Sequence, residues 1–157
     1  MSSEESLPVK SLGSELQLVT CTLSGETYGV DVLSVREIIR VPKITRTPEQ
    51  PLHVEGVIDI RGKVITVISL RTRLGLRTDD DTDERQSRVI VLDVEGQQAG
   101  FKVDSVAEVI RIKENELQPT PTEVEKEYIK GIYNDGNNII ALLDLRQIFC
   151  SDKLLTA

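Results

Sequence analysis

Apolar and polar positions along this chain fall into short runs that change character at glycine, proline and acidic residues. Leu16–Leu23 reads as a strand, Ser24-Gly25-Glu26 as its turn, and Thr27–Val30 as the returning partner. Asp31 stands where it can cap a short helical turn through Val32–Val35, with continued strand as the alternative, and Ile38–Val41 is extended again. Pro42, Pro48 and Pro51 then punctuate a loop. The strongest stretch follows. Val57–Ile60 and Lys63–Ile68 are two β-branched runs joined by Arg61-Gly62, a tight-hairpin signal because glycine takes positive φ without a Cβ clash. Ser69 is placed to cap a helical turn and Gly75 to end it.

The same pattern recurs. Val89–Val94, a turn at Glu95-Gly96, and Ala99–Val103 repeat the opening hairpin. Pro119 and Pro121 punctuate a second loop, and Gly131–Phe149 repeats the strand, turn, strand and helix, with Asp135-Gly136-Asn137 turning and Asp144 capping. A shift of 71 places Leu18–Cys21 over Val89–Leu92, Tyr28–Val30 over Ala99–Phe101, Val35–Ile38 over Val106–Val109, and Pro48 over Pro119. A shift of 75 places Gly56 over Gly131, Leu70 over Leu145 and Arg71 over Arg146. This is a duplicated strand-rich module, too long for a solenoid repeat. Short strands with glycine turns predict small β-barrels, two of them, sharing a core with a groove along the junction. The expected organisation is a disordered tail over 1–14, one barrel mainly from 15–75, an acidic linker over 76–86, a second barrel mainly from 87–149, and a tail over 150–157. Strands crossing between barrels are allowed for.

Composition narrows the chemistry. The 157 residues are 39% hydrophobic and 29% charged, as in a soluble globular protein. No apolar run approaches the ~20 residues that span a bilayer. The N-terminus, MSSEESLPVKSLGS, lacks the regions of a signal peptide, so a cytosolic location without membrane insertion is expected. Charge is lopsided: residues 1–75 balance nine acids against nine bases, and the rest carry the whole net charge of −7. That balance, with 3% aromatics, disfavours nucleic acid as a partner. Cys21 and Cys150 have no metal-ligand spacing, and Cys21 lies on the more apolar face of its strand, as a buried free thiol. Counting a calcium loop from Asp79 puts Glu84 where glycine is needed. No nucleotide-binding, metalloprotease or nucleophile-elbow motif occurs, and the only histidine, His53, has no nearby nucleophile. Neither an enzyme nor a cofactor is expected. The basic side chains of the first copy stand out instead, since Arg36, Arg61 and Lys63 become Ala107, Gly136 and Asn138 in the second. A solvated basic face is the ordinary explanation, but an arginine at a tight turn is unexplained by turn chemistry and suggests a specific partner, such as a carboxylate. A generic barrel that binds another protein or peptide in its groove is the alternative at this level.

Three segments carry a family resemblance: YGVDVLSVREIIRVPKITRTP, GVIDIRGKVITVISLRTRLGL and AGFKVDSVAEVIRI. Over about residues 15–155 the chain resembles the CheW coupling proteins of bacterial chemotaxis. The resemblance implies two SH3-like five-stranded β-barrels and an all-β fold with short helices. It implies no catalysis, and a scaffold linking the cytoplasmic tips of methyl-accepting chemoreceptors to the regulatory domain of the histidine kinase CheA. By position, Glu37, Arg61 and Val109 match residues associated with receptor engagement, and Val35 and Gly56 match residues associated with kinase binding. An apolar patch is expected near Val35 and Gly56, with Gly56→Asp weakening kinase binding and sparing stability. The chain departs from the family pattern at Asp59-Ile60 before the turn, and at Thr66 and Ser69.

Overall fold

The computed structural model describes residues 15–48, 50–76, 83–120 and 128–156, with side chains through Ser151. The expected tail 1–14, the calcium reading from Asp79 and Pro121 lie outside these residues. Ten strands follow in order: β1 (Glu15–Leu23), β2 (Glu26–Asp31), β3 (Val35–Arg40), β4 (Val54–Ile60), β5 (Lys63–Ser69), β6 (Arg88–Val94), β7 (Gln97–Val103), β8 (Ser105–Lys113), β9 (Ile129–Asn134) and β10 (Ile139–Leu143). Helix α1 spans Leu70–Arg73 and helix α2 Leu145–Thr156. The strands make two five-stranded sheets, ordered β8-β1-β2-β10-β9 and β3-β6-β7-β5-β4.

Neither sheet comes from one half of the chain. Each takes the opening hairpin of one copy and the last three strands of the other, so 15–75 and 87–149 are not separate barrels. The exchange is made by two parallel pairings, β10 with β2 and β5 with β7, which put Leu142 opposite Gly29 and Val67 opposite Gly100. Both pairs obey the repeat offsets of 71 and 75. Gly56 faces Val67 and Gly131 faces Leu142, so the duplicated glycines hold the same place in the topology. The reason for exchange lies in the hairpins. β1 and β6 are apolar on both faces, and a strand of that kind is stable only with a packed layer on each side.

Three clusters supply those layers. Val89 and Val91 of β6 point into one barrel with Ile58, Ile65 and Val67. Leu18 of β1 points into the other with Ile112 and Leu142. The opposite faces meet between the barrels, where Cys21, Leu23 and Val30 pack on Ile68, Ile90, Leu92, Phe101 and Leu143. Leu70, Leu145 and Ile148 of the two helices close the same cluster. The terminal helix therefore docks on the shared core and not on either barrel alone. It also runs through the expected tail, because no glycine or proline interrupts 145–156.

Local signals behave as the sequence implies. Asp31 accepts from the Leu33 amide at 2.9 Å and caps the 3-10 turn Val32–Ser34. Ser69 caps α1, and at its end Gly75 (φ +72°) donates to Thr72 while Leu76 donates to Arg71, the hydrogen-bond pattern of a Schellman motif. The described part of the acidic linker is also ordered, with a 3-10 turn at Glu84–Gln86 capped by Asp83. The proline loops close the barrels: Thr45 exchanges two 2.9 Å backbone bonds with Val57 of β4, and Gln118 pairs with Ile132 of β9 in the same way.

That closure changes the reading of Gly56. It sits buried at a β-bulge with φ +144°, and a Cβ there would lie 2.2 Å from the Thr45 carbonyl oxygen. No side chain fits without moving the loop backbone, so the expectation that Gly56→Asp spares stability is corrected. Gly131 is milder, 3.1 Å from the Gln118 oxygen. Gly56→Ala should lose about 3 kcal/mol, from overpacking and a strained backbone, and Gly131→Ala about 1 kcal/mol. Chemical denaturation checks the order of the two losses.

Cys21 is fully buried, and burial, with the nearby Asp104 charge, pushes its thiol up to about 12 from 9.0. The folded chain thus holds the neutral thiol where the unfolded chain would ionise. Stability from this source is complete below the unfolded value and is lost as pH rises from about 9 towards 12, at up to about 1.4 kcal/mol per pH unit. Against Cys21→Ala, which lacks the group, the parent chain should show this additional alkaline slope in denaturation midpoints.

Candidate functional site

The β4–β5 turn is two residues long, with φ +50° at Arg61 and +86° at Gly62. These are the angles of a type I′ hairpin, whose twist matches the flanking strands. Asp59 steadies the turn by accepting from the Gly62 amide at 2.9 Å. Glycine suits the second position, but an L-residue in the left-handed region at the first costs about 1–2 kcal/mol. The arginine is held there nonetheless.

Its guanidinium donates from Nη2 to Oε2 of Glu37 on β3. β3 and β4 are the two edges of their sheet, so this ion pair spans the seam along which the barrel closes. Glu37 stands opposite Val91 at a bulge in β3 and is mostly covered, with 24% of its side chain exposed. Arg61 is 71% exposed. The carboxylate therefore anchors one end of a guanidinium whose remaining donors face solvent. Among the described residues the second copy has nothing equivalent. Its turn carries Gly136, and Asp135 accepts from the Asn137 and Asn138 amides, which hold its carboxyl below the usual carboxylate range.

Val35 begins the same strand, opposite Leu92, and packs its side chain on the shared core. It also lines a shallow hollow of about 310 Å³ with Leu33, Arg36, Asp93 and Arg146. Leu33 is a residue that sequence reasoning missed. It is 91% exposed at the middle of the capped 3-10 turn, beside Val35. The cap was legible, but not that a three-residue turn between two sheets leaves its central side chain with no inward face. Arg36 meets Asp93 at 3.7 Å across the hollow.

The remaining candidates are not gathered here. Gly56 lies inside the seam, under Thr45, and its effect on any surface runs through the loop that covers it. Val109 is on β8 in the other sheet, opposite Val19, and 56% exposed. It is the repeat partner of Ile38, which is also exposed at 36%. Val64 and Ile139 form a second such pair, at 70% and 63%. Exposed apolar residues thus occur at matching places on both barrels, a pattern that marks contact surfaces. His53 is half-buried in the loop before β4, its carbonyl accepting from the Ser69 amide at 2.7 Å. Among the described residues no group of three metal-ligating side chains converges, and no helix is long and apolar enough to cross a membrane.

Comparison with known proteins agrees with this architecture. The family model described as a CheW-like domain matches residues 17–153. The chemotaxis protein CheW of Treponema pallidum is 34% identical over 145 residues, covering 89% of this chain and 85% of its own. The Bacillus subtilis protein of the same name is 30% identical, covering 90% of this chain and 91% of its own. The crystal structure of the scaffolding protein TtCheW from Thermoanaerobacter tengcongensis superposes with a TM-score of 0.79 at 36% identity, over 85% of this chain and 87% of that one. With two five-stranded barrels of this kind and a family match over most of its length, the chain belongs to the CheW-like domain family, the coupling adaptors of chemotaxis.

Proposed function

We propose that this adaptor works without catalysis in the cytoplasm, joining the cytoplasmic tips of chemoreceptors to the regulatory domain of the histidine kinase CheA. The observation that carries the reading is the Glu37–Arg61 pair. A strained arginine, mostly exposed and anchored by a covered carboxylate, is a preorganised guanidinium aimed away from the fold. Its other donors suit a carboxylate or a carbonyl on a receptor tip, to which a guanidinium binds in fork geometry. Val109 extends the receptor face onto the second barrel. The kinase face is apolar. Val35 with Leu33 forms a ridge beside the hollow, whereas Gly56 lies under Thr45 and acts on the surface only through the loop that covers it.

The two roles of Arg61 can be separated by Arg61→Gly. Glycine relieves the left-handed strain, worth about 1–2 kcal/mol, and loses an exposed ion pair worth about 0–1 kcal/mol. Thermal stability should therefore hold or rise slightly. Receptor binding should fall at least tenfold, because a charge that is desolvated only in the interface is lost. Co-sedimentation with receptor-bearing vesicles and the kinase checks this, with kinase activity read as adaptor is added. A variant that is as stable as the parent and binds as well would remove Arg61 from the receptor site. The double reversal Glu37→Arg with Arg61→Glu should restore the pair but not the binding.

A further inference from the structure

Among the described residues the chain crosses between the two sheets twice. From β2 to β3 it uses the three residues Val32–Ser34, and from β7 to β8 it uses Asp104 alone. A one-residue crossing leaves few torsions to set the angle between the barrels, and this residue is bound on every side. The Asp104 amide donates to the Thr22 carbonyl at 3.0 Å. Its Oδ2 accepts from the Ser24 amide in the β1–β2 turn at 2.8 Å. Its Oδ1 lies 3.4 Å from Nε of Arg71 on α1. Thr22 lies in the first sheet and Ser24 in the turn joining two of its strands, whereas α1 continues directly from β5 of the second. One carboxylate thus holds a turn of one barrel and a helix of the other.

The surroundings shield this contact. Only 17% of the Arg71 side chain and 16% of that of Asp104 are exposed, so the pair is largely shielded from water. The repeat supplies an internal comparison. Arg146, the counterpart of Arg71, reaches Glu95 in the β6–β7 turn at 3.8 Å with both partners more than 60% exposed. The counterpart of Asp104 is Leu33, at the middle of the other crossing, bare to solvent. The pseudo-symmetric frame is therefore clamped by a shielded pair at one crossing and bridged only by a long, exposed pair at the other.

We propose that Asp104, through Arg71, is a positioning residue that sets the angle between the barrels and so the spacing of the receptor-facing side chains. This rests on the reading of Glu37 and Arg61 on one sheet and Val109 on the other as a single receptor face. Residues on two bodies form one surface only if the bodies are held at a fixed angle.

The test has two arms. In the first, Cys150→Ser chain carries spin labels at Val64→Cys and Ile139→Cys, exposed and equivalent positions on the two barrels, while buried Cys21 stays unlabelled. Pulsed dipolar spectroscopy should give one narrow distance in the parent. Asp104→Asn and Arg71→Gln should each broaden it or shift it by several ångströms, Arg71→Lys should keep it narrow, and Arg36→Gln, which breaks an ion pair within one sheet, should leave it unchanged. In the second arm the unlabelled variants are bound separately to the kinase regulatory domain and to receptor vesicles. Kinase affinity should stay within about twofold, and receptor affinity should fall at least fivefold. Unchanged distances in either folded variant would overturn the proposal, as would equal broadening by Arg36→Gln. A shifted distance with unchanged receptor affinity would overturn it too, and failure of both variants to fold would make the pair purely structural. Failure of the parent chain to bind receptor would instead count against the proposed function and leave the distance arm standing.

Discussion

The structure depends on the apolar layer between the two barrels. β1 and β6 are each buried on both faces, and each turns one face to its own barrel and the other to this shared layer. Neither copy can fill it alone. The first brings Cys21, Leu23, Val30, Ile68 and Leu70, the second Ile90, Leu92, Phe101, Leu143, Leu145 and Ile148. Small modules of this size bury too little surface to be independently robust. Exchanging hairpins lets each copy complete the other's sheet while both contribute to one core, so the pair gains the burial of a full domain.

What the adaptor presents to partners follows from that arrangement. Its sites are not cavities with converging reactive groups but features of the barrel margins: a strained arginine across a seam, an apolar ridge at a crossing, exposed valine and isoleucine at repeated positions. A rigid frame with differentiated edges suits a protein whose task is to hold two others at set positions. The duplication supplies the frame twice. Divergence then supplies the difference, with Arg61 against Gly136 at one turn and Asp104 against Leu33 at the crossings.

Much of this was legible in the sequence because it is local. The double-sided apolar runs, the X-Gly turns, the caps at Asp31, Ser69 and Asp144, and the offsets of 71 and 75 are all carried by residues close in the chain. The exchange of hairpins was not legible, since a repeat aligns equally well whether its strands pair within a copy or between copies. Gly56 shows the same limit. The residue type announced a special backbone, but its purpose, room for the Thr45 carbonyl, depends on a loop that returns from outside the strand. Leu33 was hidden for the opposite reason, because apolar character alone does not say which turn faces outward. The Glu37–Arg61 pair was legible only in part: a carboxylate partner for Arg61 could be suspected, but the left-handed position alone does not require one, since Ser24 and Glu95 adopt it in the other X-Gly turns.

If the shared layer makes the two copies one body, they must open together. Native-state hydrogen exchange on the intact chain measures this directly, by following amides of β2 and β5 from the first half and β7 and β10 from the second as denaturant is added. The account predicts that all four converge on one opening free energy with one denaturant slope. Early loss of protection in one half, with the other still closed, would contradict it.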